Sequence, residues 1–344
     1  MKLNKISMAV GGLFALASAP SFALTANLYT NTNETTGDTL NIRASGATAV
    51  DPGIFASALR LCATGGANTI HRYSISNNAV LFCNIDSTKL TAPVGKTKLA
   101  FYKYSQGGSG GGVQNVNGAV SIPFVDLSKI TANCASATVT AAQDLDGTNP
   151  LPSFVDTLCT GAFNNTSNTS NGVSYIGISD VEPQFFGGPS SFNNLKAESL
   201  VSVIFGVPLT KNIFEILQSQ QGKVVGDLTE ANMPSLSQAQ ITSLYTQEGQ
   251  TWSALLGSPT GLGDDAVYVA RRVSTSGTQK SYEAVIAKTL NSTSTAARAC
   301  HRDVEAFVSG ANAADNTAAN TLCNGGAAVV NNSGSNQVLT CMNK

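Results

Sequence analysis

Short apolar runs recur along the chain, and each is followed by a turn of small residues and a segment with helical spacing. The first such unit is a predicted strand over 39–43, a turn at 45–48 and a helix over 52–62. A second predicted strand, over 98–104, runs directly into the glycine-rich stretch 107–112. The alternation of strand, small-residue turn and helix is typical of an α/β architecture.

The second half of the chain repeats this order. A strand over 173–179 is predicted to end at Asp180, and an apolar run over 200–209 follows. Ser235 is a candidate cap for a helix, and a strand over 266–273 precedes a helix that opens at 276–278. We therefore expect further strand–turn–helix units here.

Length and composition indicate the size of the protein and the kinds of partner it can bind. The 344 residues are 42% hydrophobic but only 12% charged, and the formal net charge is −1. A chain of this length can form two lobes of ordinary domain size. Since there is no basic stripe to neutralise a phosphate backbone, we expect no nucleic-acid partner.

The N-terminus has the pattern of a secretory signal peptide. Lys2 and Lys5 precede an apolar segment over 6–17, which is too short to favour a membrane span. Ser21-Phe22-Ala23 places small residues where a signal peptidase cleaves, so residues 1–23 are the predicted signal peptide. The predicted location is the periplasm or the exterior.

Seven cysteines follow the predicted signal, and none forms a C-x-x-C pair. They are Cys62, Cys83, Cys134, Cys159, Cys300, Cys323 and Cys341. In an oxidising compartment such cysteines form disulfides. Spacing suggests Cys62 with Cys83, Cys134 with Cys159, and Cys300 with either Cys323 or Cys341, although spacing alone leaves the connectivity open.

Three strand-to-helix junctions carry Ser, Thr or Gly. Helix N-termini leave backbone N–H groups unpaired and favour anions, and hydroxyls add donors. The glycine run lacks the Gly-Lys-Ser/Thr of a phosphate-binding NTPase loop and the context of a dinucleotide fingerprint. His71 and His301 stand outside any nucleophile or metal motif, so we expect no catalytic residue, metal or cofactor, and no enzyme.

Four segments, in order, resemble the phosphate-binding proteins of bacterial ABC transporters. They are Ser-Gly-Ala-Thr at 45–48, Gly-Ser-Gly-Gly-Gly-Val at 108–113, Gly-Ile-Ser-Asp at 177–180 and Arg-Val-Ser-Thr-Ser-Gly-Thr at 272–278. The segment 206–209 with Asn212, and the segment 236–256 with Tyr245 and Trp252, are also similar to that family.

The resemblance implies a type II periplasmic-binding-protein fold, with a ligand cleft between two lobes. The first lobe would span 24–205, with a disulfide-pinned insertion at about 115–173, and the second would span 206–344. The family continues beyond the region that resembles 333–342 into a strand that returns to the first lobe. That return is missing from this sequence, and we expect a truncated or shorter variant.

The resemblance also implies the residues that contact phosphate: Thr48, Ala49, Ser109, Asp180, Arg272, Ser276, Gly277 and Thr278. Hydroxyls and backbone N–H groups would donate, and Arg272 would give a charge-assisted contact. Ala49 replaces a common aromatic residue, and Ser274 replaces the acid that usually braces the arginine.

Asp180 carries the expected specificity. A carboxylate beside an anion is costly unless it accepts a hydrogen bond, which monohydrogen phosphate can donate and sulfate cannot. The expected function is therefore an exported, monomeric solute-binding protein that captures inorganic phosphate and delivers it to an ABC permease. The alternative is a secreted phosphate-binding or surface interaction protein with the same fold and no transporter.

Overall fold

The computed structural model describes residues 37–64, 70–75, 78–126, 134–139, 151–159, 169–187, 191–199 and 205–286, with short segments at 306–308, 329–332, 338–339 and 342. The predicted signal peptide, His301 and the cysteines at 300, 323 and 341 lie outside these residues. None of the helices in the described ranges has the length and apolarity needed to cross a membrane.

A seven-stranded mixed sheet dominates the fold, in the order β6-β7-β2-β3-β4-β1-β9. Its strands are β1 (Thr39–Gly46), β2 (His71–Ile75), β3 (Asn78–Asn84), β4 (Lys98–Tyr104), β6 (Cys134–Val139), β7 (Phe154–Cys159) and β9 (Ile176–Ile178). β5 (Ser121–Val125) and β8 (Thr169–Val173) form a two-stranded antiparallel sheet, and β5 packs on the main sheet. β10 (Val269–Arg272), β11 (Ala306–Val308) and β12 (Val329–Asn332) form a parallel sheet in the order β10-β12-β11.

Six α-helices connect the described strands. They are α1 (Asp51–Arg60), α2 (Gly108–Asn117), α3 (Lys211–Gln220), α4 (Gln238–Thr246), α5 (Trp252–Leu256) and α6 (Gly277–Ser281), the last running into a π-helical turn over Tyr282–Ile286. The predicted α/β architecture is confirmed. The predicted strand over 98–104 has the observed bounds of β4, whereas the cap predicted at Ser235 lies at Ser237, which forms a capping box with Gln240.

The main sheet is buried on both faces. Leu99 and Phe101 of β4 pack on one face with Phe55 and Leu59 of α1. Ala100 and Tyr102 pack on the other face, in a second apolar cluster. Burial of both faces explains the continuous apolar run over 99–102 in β4, as expected for a central strand.

A third apolar cluster is built entirely from the chain after residue 208. Its buried members are Ile213, Leu217, Leu244, Trp252, Val267 and Val269. These side chains come from α3, α4, α5 and the approach to β10, and they form a core separate from the two sheet faces.

Two disulfide observations bear on the cysteine predictions. Cys62 and Cys83 form a disulfide that closes 21 residues, as their spacing predicted. Cys159 is also disulfide-bonded, and the β6–β7 register places the backbone of Cys134 directly opposite it.

Part of the predicted insertion at 115–173 contributes to the main sheet. β7 pairs with β2, and β6 pairs with β7, so these strands extend one edge. The antiparallel hairpin β2–β3 that joins them to β4 was not predicted.

Candidate functional site

Three neighbouring parallel strands end at one edge of the main sheet. β1 pairs in parallel with β4 on one side and with β9 on the other. Their carboxyl ends lead into the turn at 46–50, the glycine-rich segment and Asp180, respectively. In α/β sheets this edge is where ligands settle, and it brings together residues from separate parts of the chain.

The glycine run is helical, not a loop, and it starts α2. A Cβ on Gly112 would lie 2.6 Å from the carbonyl oxygen of Ile178 and 2.8 Å from the Cα of Gly46. A Cβ on Gly177 would lie 2.7 Å from the Gly112 oxygen. Glycine at these positions therefore allows α2 to lie directly on the ends of β1 and β9.

Ser109 and Asp180 are joined by two hydrogen bonds. The Ser109 hydroxyl donates to Oδ2 of Asp180 over 3.1 Å and accepts from the Asp180 backbone N–H over 3.2 Å. Ser109 is only 1% exposed. The first turn of α2 and the end of β9 are thus tied together at the predicted site.

The start of α6 lies against this pair. A Cβ on Gly277 would come 2.7 Å from the Cβ of Asp180 and closer still to the Ser109 hydroxyl. Two residues before Gly277, the Thr275 carbonyl accepts a hydrogen bond from the Gly110 N–H over 2.9 Å. The Ser276-Gly277-Thr278 segment is therefore packed on α2 and Asp180, with Ser276 buried and Thr278 half-buried.

Arg272 ends β10, five residues before Gly277, and is coupled electrostatically to Asp180. Burial lowers the pKa of Arg272, and the negative charge of Asp180 opposes that shift. Burial raises the pKa of Asp180, while the Ser109 hydrogen bond and the charges of Arg272 and Lys103 act in the opposite direction. The guanidinium thus contributes positive charge to the same cluster.

Thr48 and Ala49 lie in the turn that enters α1. The Thr48 carbonyl accepts a hydrogen bond from the Asp51 N–H over 3.1 Å, and the Ala47 N–H donates to the Ile178 carbonyl over 2.9 Å. Thr48 is half-buried and Ala49 is exposed. This turn is tied to the strand that precedes Asp180, on the same edge as Ser109.

A buried ion pair beneath the edge was missed as part of the site. Lys103, at 1% exposure, donates to the Gly46 carbonyl over 3.0 Å and to the Ser105 hydroxyl over 2.8 Å. Its ammonium lies 3.1 Å from Oδ1 of Asp51 in α1. An isolated lysine in an apolar strand gives little sequence signal, because its partner is 52 positions away.

Two further observations concern the described histidine and metal-binding side chains. His71 is buried and stacks on Phe82, with ring centroids 5.2 Å apart. Within the described residues, His, Cys, Asp and Glu do not gather into any group of three that could hold a metal ion.

Comparison with known proteins adds no relative to these observations. Neither a family model, nor a curated protein, nor a solved structure matches this chain.

Proposed function

We propose that this protein binds inorganic phosphate at the edge formed by α2, Asp180, Arg272 and the start of α6, and that it is not an enzyme. The observation that carries the proposal is the meeting of Ser109, Asp180 and Gly277. These residues stand 71 and 97 positions apart in sequence, yet they pack within contact distance.

The charges and donors at this edge suit a tetrahedral oxyanion. Arg272 supplies positive charge, and it can contact two oxygens of an anion at once. Thr48, Ser276 and Thr278 carry further hydroxyl donors in the turn that follows β1 and at the start of α6. Glycine at 277 lets the start of α6 pack directly on Asp180 and Ser109, where a side chain would collide with both.

The Asp180 carboxylate favours phosphate over sulfate as the ligand of this site. Its Oδ1 is buried and lacks a hydrogen-bond partner among the described residues. A buried acceptor without a donor costs about 1–3 kcal/mol, and the P–OH of monohydrogen phosphate would satisfy it. Sulfate has no proton at neutral pH, so it would leave two negative groups in contact.

The two-lobed type II arrangement is part of the proposal. The separate core after residue 208 supports a second body that contributes Arg272 and the start of α6, while the main sheet contributes Ser109 and Asp180. Ligand capture would then proceed by hinge closure of one body on the other. Delivery to an ABC permease is the role that the sequence resemblance implies.

A secreted phosphate-binding protein without a transporter is the second candidate. The Cys62–Cys83 disulfide favours an exported protein, and export serves either role. Genes for a permease and an ATPase beside this one would favour uptake, and an isolated gene would favour the secreted role.

Isothermal titration of the purified protein with phosphate, and then with sulfate, tests the binding proposal. We expect saturable phosphate binding and no sulfate heat. Ser109→Ala should weaken phosphate binding, because it removes the hydroxyl that holds the Asp180 carboxylate in place. Ser57→Ala is a matched control, since Ser57 lies exposed on α1 and donates only to the Gly53 carbonyl. A folded protein that releases no heat with phosphate would overturn the proposal.

A further inference from the structure

The buried ion pair beneath the candidate site has no counterpart among the residues that the sequence resemblance implied. Lys103 has three partners, namely the Gly46 carbonyl, the Ser105 hydroxyl and the Asp51 carboxylate. Asp51 also accepts from the Ser105 hydroxyl over 3.0 Å. The three side chains form one closed network below the turn at 46–50.

This network is connected to Asp180 through the backbone. Gly46, whose carbonyl accepts from Lys103, pairs with Ile178 in the β1–β9 register. A Cβ on Gly46 would lie only 2.1 Å from the Ile178 carbonyl oxygen, so the two strand ends lie too close together for a side chain at position 46. Asp180 follows two residues later. The ammonium is thus fixed at the strand end next to the one that carries Asp180.

Burying a charged lysine costs free energy, so the presence of Lys103 in the core calls for an explanation. Asp51 alone would neutralise it, yet replacing a buried ion pair by apolar residues is often neutral or stabilising. Retaining the pair for stability alone is therefore a weak explanation. Its proximity to a second carboxylate provides a functional one.

Four charged groups surround this part of the site. Asp51 comes from α1, Lys103 from β4, Asp180 from the end of β9 and Arg272 from β10. The Lys103 charge opposes the rise that burial causes in the pKa of Asp180, and Asp180 in turn opposes the fall that burial causes in the pKa of Lys103. The negative charge of Asp180 also adds to the rise in the pKa of Asp51.

We propose that Lys103 is a specificity-determining residue of the oxyanion site: its buried positive charge makes Asp180 a hydrogen-bond acceptor, which selects an oxyanion that carries a proton. The inference rests on the proposed function, because it names how that same site distinguishes phosphate from sulfate. Lys103 does not touch the ligand in this account; it acts through Asp180.

The double variant Asp51→Asn/Lys103→Met tests this role. Removing both partners avoids leaving one buried charge unpaired, which is the change that would threaten folding. If Lys103 only completes a structural pair with Asp51, the double variant should bind like the wild type. If Lys103 acts on Asp180, its loss should raise the pKa of Asp180, and the larger protonated fraction should donate to sulfate and weaken the discrimination against it.

A matched control lies on the same strand. Lys98 and Asp38 form an ion pair of 2.7 Å at the opposite end of β4. Five residues of extended chain place it about 16 Å from Lys103. Asp38→Asn/Lys98→Met therefore removes a pair of the same composition from β4 without altering the site.

Two measurements decide the question. The first is the ratio of phosphate to sulfate affinity by calorimetry, for the wild type, both double variants and Lys103→Arg, which retains the charge. The second is the pKa of Asp180 followed directly by carboxyl ¹³C NMR without ligand, with the thermal midpoint confirming that each variant is folded.

We expect the ratio to fall severalfold in Asp51→Asn/Lys103→Met and to stay unchanged in the control. The Asp180 pKa should rise in the first double variant only, and Lys103→Arg should retain part of the selectivity. An Asp180 pKa that is equal in the wild type and the Lys103 double variant would overturn the inference, whether or not phosphate binds. Absence of phosphate binding by the wild type would overturn the proposed function instead.

Discussion

Gly112→Ala tests the closest packing in the site, where α2 rests on the ends of β1 and β9. The new Cβ would lie 2.6 Å from the Ile178 oxygen and 2.8 Å from both the Gly46 Cα and the Ser45 oxygen. Ordinary van der Waals contact begins near 3.4 Å, so α2 would have to withdraw by about 0.8 Å, the difference between 3.4 and 2.6 Å. All three neighbours are backbone atoms of buried strands, and they cannot rotate away.

The expected cost follows from comparison with the adjacent glycine. Gly111→Ala places its Cβ 3.1 Å from the Gln106 oxygen, with no strand atom nearer. Alanine favours a helix over glycine by up to about 1 kcal/mol at either position, so that gain cancels in the comparison. The remaining difference is the collision of Gly112→Ala, which should cost about 1–3 kcal/mol.

Urea unfolding followed by far-UV circular dichroism measures this difference. We expect Gly111→Ala to unfold at the wild-type urea concentration or above it, and Gly112→Ala to unfold at a clearly lower one. Equal midpoints for the two variants would refute the close packing of α2 on the strand ends. Such a result would also remove the structural basis for placing Ser109 beside Asp180.

Three further predictions concern the disulfide, the buried histidine and α6. Cys62→Ala/Cys83→Ala should lower the free energy of unfolding by about 3 kcal/mol, as expected for a loop of this length; an unchanged urea midpoint would contradict it. Burial lowers the pKa of His71 below 6.5, so its contribution to stability is present above pH 6.5 and is lost as the pH falls through its folded pKa. His71→Phe should therefore flatten the fall in urea midpoint between about pH 7 and pH 5, and an unchanged slope would count against this assignment. Gly277→Ala should abolish phosphate binding in calorimetry because its Cβ would collide with Ser109 and Asp180, while Gly261→Ala, at an open position with positive φ, should retain binding.

β4 and α1 were predictable because their residues are locally consistent. β4 has a continuous apolar run over 99–102, and α1 has proline in its first turn and apolar residues at helical spacing. The apolar positions in β4 and α1 are the positions that the fold buries, so the sequence pattern and the tertiary structure favour the same elements.

Other elements depend on contacts that a single sequence does not display. The β2–β3 hairpin lacks a strong turn dipeptide at 76–77, and β7 joins the sheet beside a strand 83 positions earlier, counting Phe154 from His71. The helical state of the glycine run conflicts with its low helix propensity. Only the need for close approach to Gly46 and Ile178 explains it.

The resemblance named Ser109, Asp180 and Gly277, which lie in contact in the structure, but it did not indicate the charges around them. Lys103 was missed because its role depends on Asp51 and Asp180, which are distant in sequence and approach it only in the folded chain.

Sulfate titration of Asp180→Asn, alongside the wild type, tests the central claim most directly. We predict that the wild type binds phosphate and not sulfate, and that the variant binds both, because an amide can donate a hydrogen bond to an unprotonated anion. A folded wild type that binds neither anion, or a variant that still rejects sulfate as the wild type does, would contradict the account.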